Sequence, residues 1–202
     1  MDKRSPSPPP STAVSTERLF IAIDPPAPVR EQLTALYEPV RGIVWTRPEQ
    51  LHLTLRFLGD VDISLRTALE EALARVAVEP FVLPVEGVGF FPPRGVARVL
   101  WIGVGHGHTR LHQLRQQIDD ALLAAGLALD VRFFQPHVTL GRVKDETPPG
   151  AVQQFLKKHR DFEAAPFRVS AFVLYASELR PAEAIHTPWR TFPLSAPAGA
   201  AE

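Results

Sequence analysis

Cysteine is absent from the 202-residue chain, which excludes disulfides and thiolate metal sites. Net charge is absent too, since 22 lysines and arginines balance 22 acidic residues. A protein that coats long nucleic acid carries a basic excess, so any nucleic-acid contact is expected at a pocket or a chain end. No apolar run is long enough to span a bilayer, because Gly, Pro or a charge interrupts each one. No apolar stretch follows the basic residues of Met1–Pro10, which rules out reading it as a secretory signal. A cytoplasmic location is the expectation. Lysine occurs only at 3, 144, 157 and 158. Arginine supplies the remaining cations and suits bidentate phosphate contact, although genomic base composition accounts for the bias more simply.

Several familiar chemistries are missing as well. There is no Gly-x-x-x-x-Gly-Lys-Ser/Thr loop and no Gly-x-Ser-x-Gly elbow, and Gly103-x-Gly105-x-Gly107 lacks dinucleotide spacing. His106, His108 and His112 lack a His-Glu-x-x-His frame and read as a loop and helix start. The expectation is therefore no metal and no cofactor.

What remains is an ordinary globular composition, 45 % apolar. Residues 1–16 and 195–202 read as disordered tails flanking one folded body, 17–194. Arg18–Asp24 reads as a buried strand. Val29, Leu33, Leu36 and Val40 then fall at helical spacing. Leu51–Leu58 alternates, with Leu51, Leu53, Leu55 and Phe57 on one face and His52, Thr54 and Arg56 on the other. Gly59-Asp60 is the expected stop. A second helix carries Leu65, Leu69, Leu73 and Val76, and Phe81–Phe91 is extended. The pattern then recurs: strand Arg98–Val104, a helix with Leu111, Leu114, Ile118 and Leu122 capped by Gly126, strand Gln135–Val143, a helix with Val152 and Phe155, and strand Phe167–Tyr175. Phe20 to Leu100, His52 to His137 and Phe81 to Phe167 are offset by 80, 85 and 86 positions. That steady offset suggests an internal duplication, with two similar lobes packed side by side.

The repeat carries the chemistry. Leu51-His-Leu-Thr-Leu55 and Pro136-His-Val-Thr-Leu140 each place His at i and Thr at i+2 of a strand, so both side chains reach one surface. A pseudo-twofold would converge the two pairs on one spot. Metal-free phosphodiester cleavage uses such a set: one neutral imidazole takes a proton from water, and one imidazolium gives a proton to the leaving oxygen. The Thr54 and Thr139 hydroxyls would donate to the non-bridging phosphate oxygens. A lone His-x-Thr is more often a solvated strand face; two copies in the same phase favour function.

The chain resembles the 2H phosphoesterase superfamily, and within it the LigT-like RNA 2′,3′-cyclic phosphodiesterases first described as 2′-5′ RNA ligases. The resemblance rests on Arg18-Leu-Phe-Ile-Ala-Ile-Asp24, Leu51-His-Leu-Thr-Leu-Arg-Phe-Leu-Gly-Asp60, Pro136-His-Val-Thr-Leu-Gly-Arg142 and Val173-Leu-Tyr-Ala-Ser-Glu-Leu179. It implies a bilobal α+β fold with two antiparallel sheets facing a central cleft and helices outside. It implies metal-independent opening of RNA 2′,3′-cyclic phosphate ends to 2′-phosphates, with reverse 2′-5′ ligation. By motif match, His52 is the expected donor to the 3′ oxygen, His137 the base toward water, and Thr54 and Thr139 the phosphate anchors. The chain departs from the family at Ile185-His186-Thr187-Pro188, where a Tyr is usual, so His186 stays outside the expected core site.

Weaker candidates complete the reading. Arg56 shares the parity of His52, so it either binds phosphate or is salt-bridged. Arg142 is off parity from His137 and reaches the cleft only if a bulge at Gly141 re-aims it. Phe20 or Trp45 either stacks a base or belongs to the core. The expected partners are RNA ends or nucleotides bearing a 2′,3′-cyclic phosphate, met by a monomer with no membrane contact. Two alternatives stay open: a small-molecule cyclic nucleotide or ADP-ribose cyclic phosphate phosphodiesterase, and a non-catalytic RNA-end-binding module.

Overall fold

The computed structural model describes residues 15–105, 108–130, 133–180 and 184–196. Most of the two expected tails lies outside that range, although Thr16 already pairs with Asp62 in a strand.

Leu19 to Ile23 are all buried, so β1 (Thr16–Ile23) is covered on both faces. α1 (Ala27–Thr34) turns Val29 and Leu33 inward. β2 (Ile43–Trp45) is short, and β3 (Leu53–Asp62) carries the first motif. β3 runs through Gly59-Asp60 instead of stopping there. Gly59 takes a φ of +73°, which glycine accepts without a Cβ penalty. α2 (Arg66–Leu73) and β4 (Phe81–Phe91) follow. β5 (Val99–Val104) leads to α3 (Thr109–Ala124), which buries Leu111, Leu114, Ile118 and Leu122. Gly126, at φ +87°, ends α3 as expected: the Leu127 amide donates to the Leu122 carbonyl, closing a Schellman turn. β6 (His137–Val143), α4 (Ala151–Lys158), β7 (Glu163–Val169), β8 (Ala171–Leu179) and β9 (Ala184–Pro193) complete the order.

The fold is α+β with one antiparallel sheet, in the order β7-β4-β5-β6-β3-β1-β8-β9, with β2 added on β6. The sequence suggested two sheets. Among the described residues all nine strands are instead hydrogen-bonded into one, and its halves meet at a single pairing, Leu53 with Val138. Ser170 alone separates β7, at one edge, from β8, near the other. The sheet must therefore curl until those ends approach.

The first two offsets match this layout: β3 and β6 are central neighbours, and β1 and β5 flank them. The third offset fails. The segment read as one strand, Phe167–Tyr175, breaks at Ser170, and the place symmetric to β4 belongs to β8, not β7. Each half of the sheet thus draws strands from both halves of the chain, so neither half of the chain is a lobe of its own.

Candidate active site

The Leu53–Val138 pairing sets the register of the two motifs. In an antiparallel ladder it puts His52 opposite Thr139 and Thr54 opposite His137. Leu53 and Val138 are fully buried. Their neighbours on each strand therefore turn the other way, onto one shared face. His52, Thr54, His137 and Thr139 are all half-buried there.

Both imidazoles are held alike. The Nδ1–H of His52 donates to the Gln50 carbonyl at 2.7 Å, and that of His137 to the Gln135 carbonyl at 2.7 Å. A carbonyl only accepts, so the proton sits on Nδ1 and the Nε2 lone pair is left for chemistry. Gln50 is fixed in turn, its side-chain amide donating to the Ala184 carbonyl at 2.7 Å. Gln50 and Gln135 were missed from sequence. The signal was available as a longer repeat, Gln-x-His-x-Thr-Leu, but a carbonyl contact does not depend on residue type.

The packing around the two rings differs. Phe20, at 5.0 Å, and His186, perpendicular at 5.4 Å, press on His52. Burial pushes its pKa down to about 4; the nearby His186 and His137 push the same way, while the Gln50 carbonyl and Asp24 oppose them. His137 packs against Phe91 at 5.0 Å and Trp101 at 6.2 Å. Burial lowers its pKa as well, with the Gln135 carbonyl opposing.

Two expected site residues are settled by bulges. At Leu55 the β1–β3 register skips, so that Leu55 and Arg56 together oppose Ile21. At Leu140 the β5–β6 register skips in the same way. Both bulges lie three residues beyond the motif histidine. Past the first, the strict alternation that aimed Arg56 at the phosphate no longer holds. Arg56 Nε and Nη2 instead donate to Asp119 of α3 at 2.7 and 2.6 Å, and Nη1 donates to the Asp130 carbonyl at 2.8 Å. It is the salt-bridged arginine of the two readings. Past the second bulge, Arg142 emerges exposed, and its charge lowers the pKa of His186, whose burial is the larger cause. Gly141 fits the turn closely, since an added Cβ would lie 3.0 Å from the Trp45 ring. Phe20 is 2 % exposed, with Tyr175 stacked on it at 5.1 Å and His186 edge-on at 4.9 Å. It floors the His52 pocket and offers no open face to a base. Trp45 is half-buried and packs against the core, stacked on Tyr37 at 4.7 Å.

Two hollows open on either side of the motif pair. One, of 340 Å³, is lined by His52, Gln50, Asp24, Tyr175 and His186 among others. Tyr175 donates its hydroxyl to Asp24 at 2.7 Å there, and Nδ1 of His186 is buried without a partner. The other, of 530 Å³, is lined by Thr54, His137, Phe57 and Phe133 among others. Of the three histidines weighed as metal ligands, His108 stacks on Phe81 and His112 packs on Phe134, and His106 lies outside the described residues.

The 2′-5′ RNA ligase superfamily model matches residues 24–180, which include both motifs. The chain belongs to the 2′-5′ RNA ligase superfamily. An RNA 2′,3′-cyclic phosphodiesterase of Archaeoglobus fulgidus is 34 % identical to it over 87 % of this chain and 99 % of that protein. The crystal structure of Escherichia coli LigT in apo form superposes with a TM-score of 0.72 at 30 % identity, covering 89 % of this chain and 98 % of that one. The LigT complex with 3′-AMP gives 0.72 at 29 % identity, over 89 % and 99 %. The family's fold is thus the α+β fold with a curled antiparallel sheet described above.

Proposed function

We propose that the protein hydrolyses 2′,3′-cyclic phosphate ends of RNA to 2′-phosphates without a metal, using His52 and His137 as its acid and base. One observation carries the reading: two imidazoles at the starts of neighbouring strands, each with Nδ1 tied to a backbone carbonyl at 2.7 Å. The similarity to RNA 2′,3′-cyclic phosphodiesterases, and the 3′-AMP held by LigT, support the substrate class.

In this scheme His137 Nε2 accepts a proton from water as the water oxygen bonds to phosphorus. The bond from phosphorus to the ribose 3′ oxygen breaks. His52, protonated on Nε2, hands its proton to that oxygen, leaving a 2′-phosphate and a 3′-hydroxyl. Thr54 and Thr139 donate to the non-bridging oxygens as their charge grows. Run backwards with an RNA 5′-hydroxyl in place of water, the same steps make a 2′-5′ linkage. The acid faces one obstacle. With a pKa near 4, only about one His52 in a thousand is protonated at neutral pH, so the bound phosphate anion must raise it.

The two halves of the curled sheet act in this reading as lobes around the phosphate, in a cytoplasmic monomer. No helix among the described residues is long and apolar enough to cross a membrane. The test is turnover of 2′,3′-cyclic AMP in excess EDTA, with the product resolved from 3′-AMP. Accumulation of 2′-AMP is expected. Binding without product would reduce the protein to an RNA-end-binding module, and dependence on added metal would overturn the mechanism.

A further inference from the structure

The hollow beside His137 does not end at the motif. Arg56, Arg115, Asp130 and Phe134 line both it and a second hollow of 510 Å³ over α3, where Gln116 and Leu123 form part of the wall. The two make one continuous groove leading away from Thr54 and His137. Its walls differ from the rest of the surface in two ways. Phe133 is 91 % exposed and Phe57 61 %, although large aromatics are normally covered. Three arginines, Arg18, Arg56 and Arg115, face it against two aspartates, Asp119 and Asp130. Arg115 is only 8 % exposed and is ion-paired with Asp119, as Arg56 is, which leaves exposed Arg18 as the cation open to a ligand. In the hollow around His52 the balance is reversed, with Arg47 set against Asp24 and Glu49.

We infer that this groove holds the single-stranded RNA chain leading to the cyclic end, with bases on Phe133 and Phe57 and a phosphate beside exposed Arg18. Bases stack on exposed aromatics whatever their sequence, while phosphates follow a cationic track. A polyanion avoids the carboxylate-lined hollow on the other side. The arrangement exceeds what a mononucleotide uses, because Gln116 and Leu123 lie on α3, away from both motifs. It rests on the RNA-end reading above and adds where on the surface the RNA chain lies.

The experiment compares an RNA pentamer ending in 2′,3′-cyclic phosphate with 2′,3′-cyclic AMP, using the full chain and its Phe133→Ala and Leu123→Glu variants. Binding of a fluorescein-labelled pentamer ending in 2′-phosphate is followed alongside by anisotropy. Wild type is expected to prefer the pentamer in kcat/KM. Phe133→Ala should cut that preference, and the affinity for the labelled pentamer, about tenfold, the scale of one lost base stack. Leu123→Glu should cut both about threefold at low salt and less at high salt. No wild-type preference for the pentamer, or a preference and affinity unmoved by both variants, would overturn the groove. Pentamer binding that depends on Phe133, with no turnover of either substrate, would overturn the enzyme reading and leave the groove standing.

Discussion

His52, just before β3, and His137, the first residue of β6, occupy matched motif positions, yet the protein treats them unequally. His52 is wedged among Phe20 and His186, with two other imidazoles adding to its electrostatic burden. His137 has aromatic walls only, and burial alone lowers its pKa. The backbone duplicates the tautomer and the register; the surrounding side chains make the roles different. A base is served by a lowered pKa, since it must arrive neutral. An acid is not, unless its charge is supplied with the substrate. The more strongly shifted histidine is thus the one whose protonation reports that phosphate has bound.

The largest expected effect breaks the pair itself. His52→Ala and His137→Ala should each lower kcat about 10³-fold, within the usual span for acid–base groups, while far-UV circular dichroism stays unchanged. Wild-type turnover by either folded variant would remove the pair from the mechanism.

The inequality should next appear in stability against pH. An ordinary His pKa near 6.5 applies to the unfolded chain, and about 4 to folded His52. Between those values the unfolded state binds the extra proton. Stability is therefore full above about pH 6.5 and falls as the pH drops toward 4, by at most about 3 kcal/mol from this group. Denaturant melts at pH 7 and pH 4.5 test this: His52→Phe should lose less stability across the interval than wild type, and His137→Phe should sit between them. Identical losses in all three would mean that His52 is not the buried neutral group.

The threonines sharpen the symmetry instead of breaking it. His52 lies opposite Thr139 and Thr54 opposite His137 in the register fixed by Leu53 and Val138. Thr54→Ala and Thr139→Ala should each lower kcat/KM roughly 10- to 100-fold, the scale of one lost hydrogen bond to a charged group. Phosphate should also inhibit both variants less well. If only one of them responds, the phosphate is held by one strand and the shared face is not a shared site.

The same motifs show what the amino-acid order could and could not reveal. The period-2 alternation around His52, the repeat of His-x-Thr and the apolar spacing of α3 depend on local chemistry, and each has its counterpart in the fold. Whether nine strands close into one sheet depends on a single long-range pairing, Leu53 with Val138, which no local pattern encodes. The fate of the +4 and +5 residues was hidden for another reason. Parity counting assumes an unbroken ladder, and bulges at Leu55 and Leu140 break it at equivalent places. Arg56 was thereby lost to Asp119, and Phe57, assigned by alternation to the buried face, emerged 61 % exposed. Gly141 left a trace in the sequence. Leu55-Arg56 left none.

The bulges also create the smallest testable difference. Five residues beyond each histidine, one strand presents Phe57 and the other Arg142, both exposed. Arg142 lies close enough to His186 to hold its pKa down, in addition to burial. His186 in turn packs perpendicular to His52. Replacing Arg142 with Gln removes the cation and keeps the length. The His186 pKa should then rise, since the nearby cation that lowers it is gone, in an NMR titration of the ring protons. Phe57→Leu, at the equivalent position on the other strand, should leave the His186 titration in place. If Arg142→Gln does not move His186, the charge lies too far from the site to act there, and the bulge at Leu140 re-aims the strand without bringing Arg142 to the phosphate.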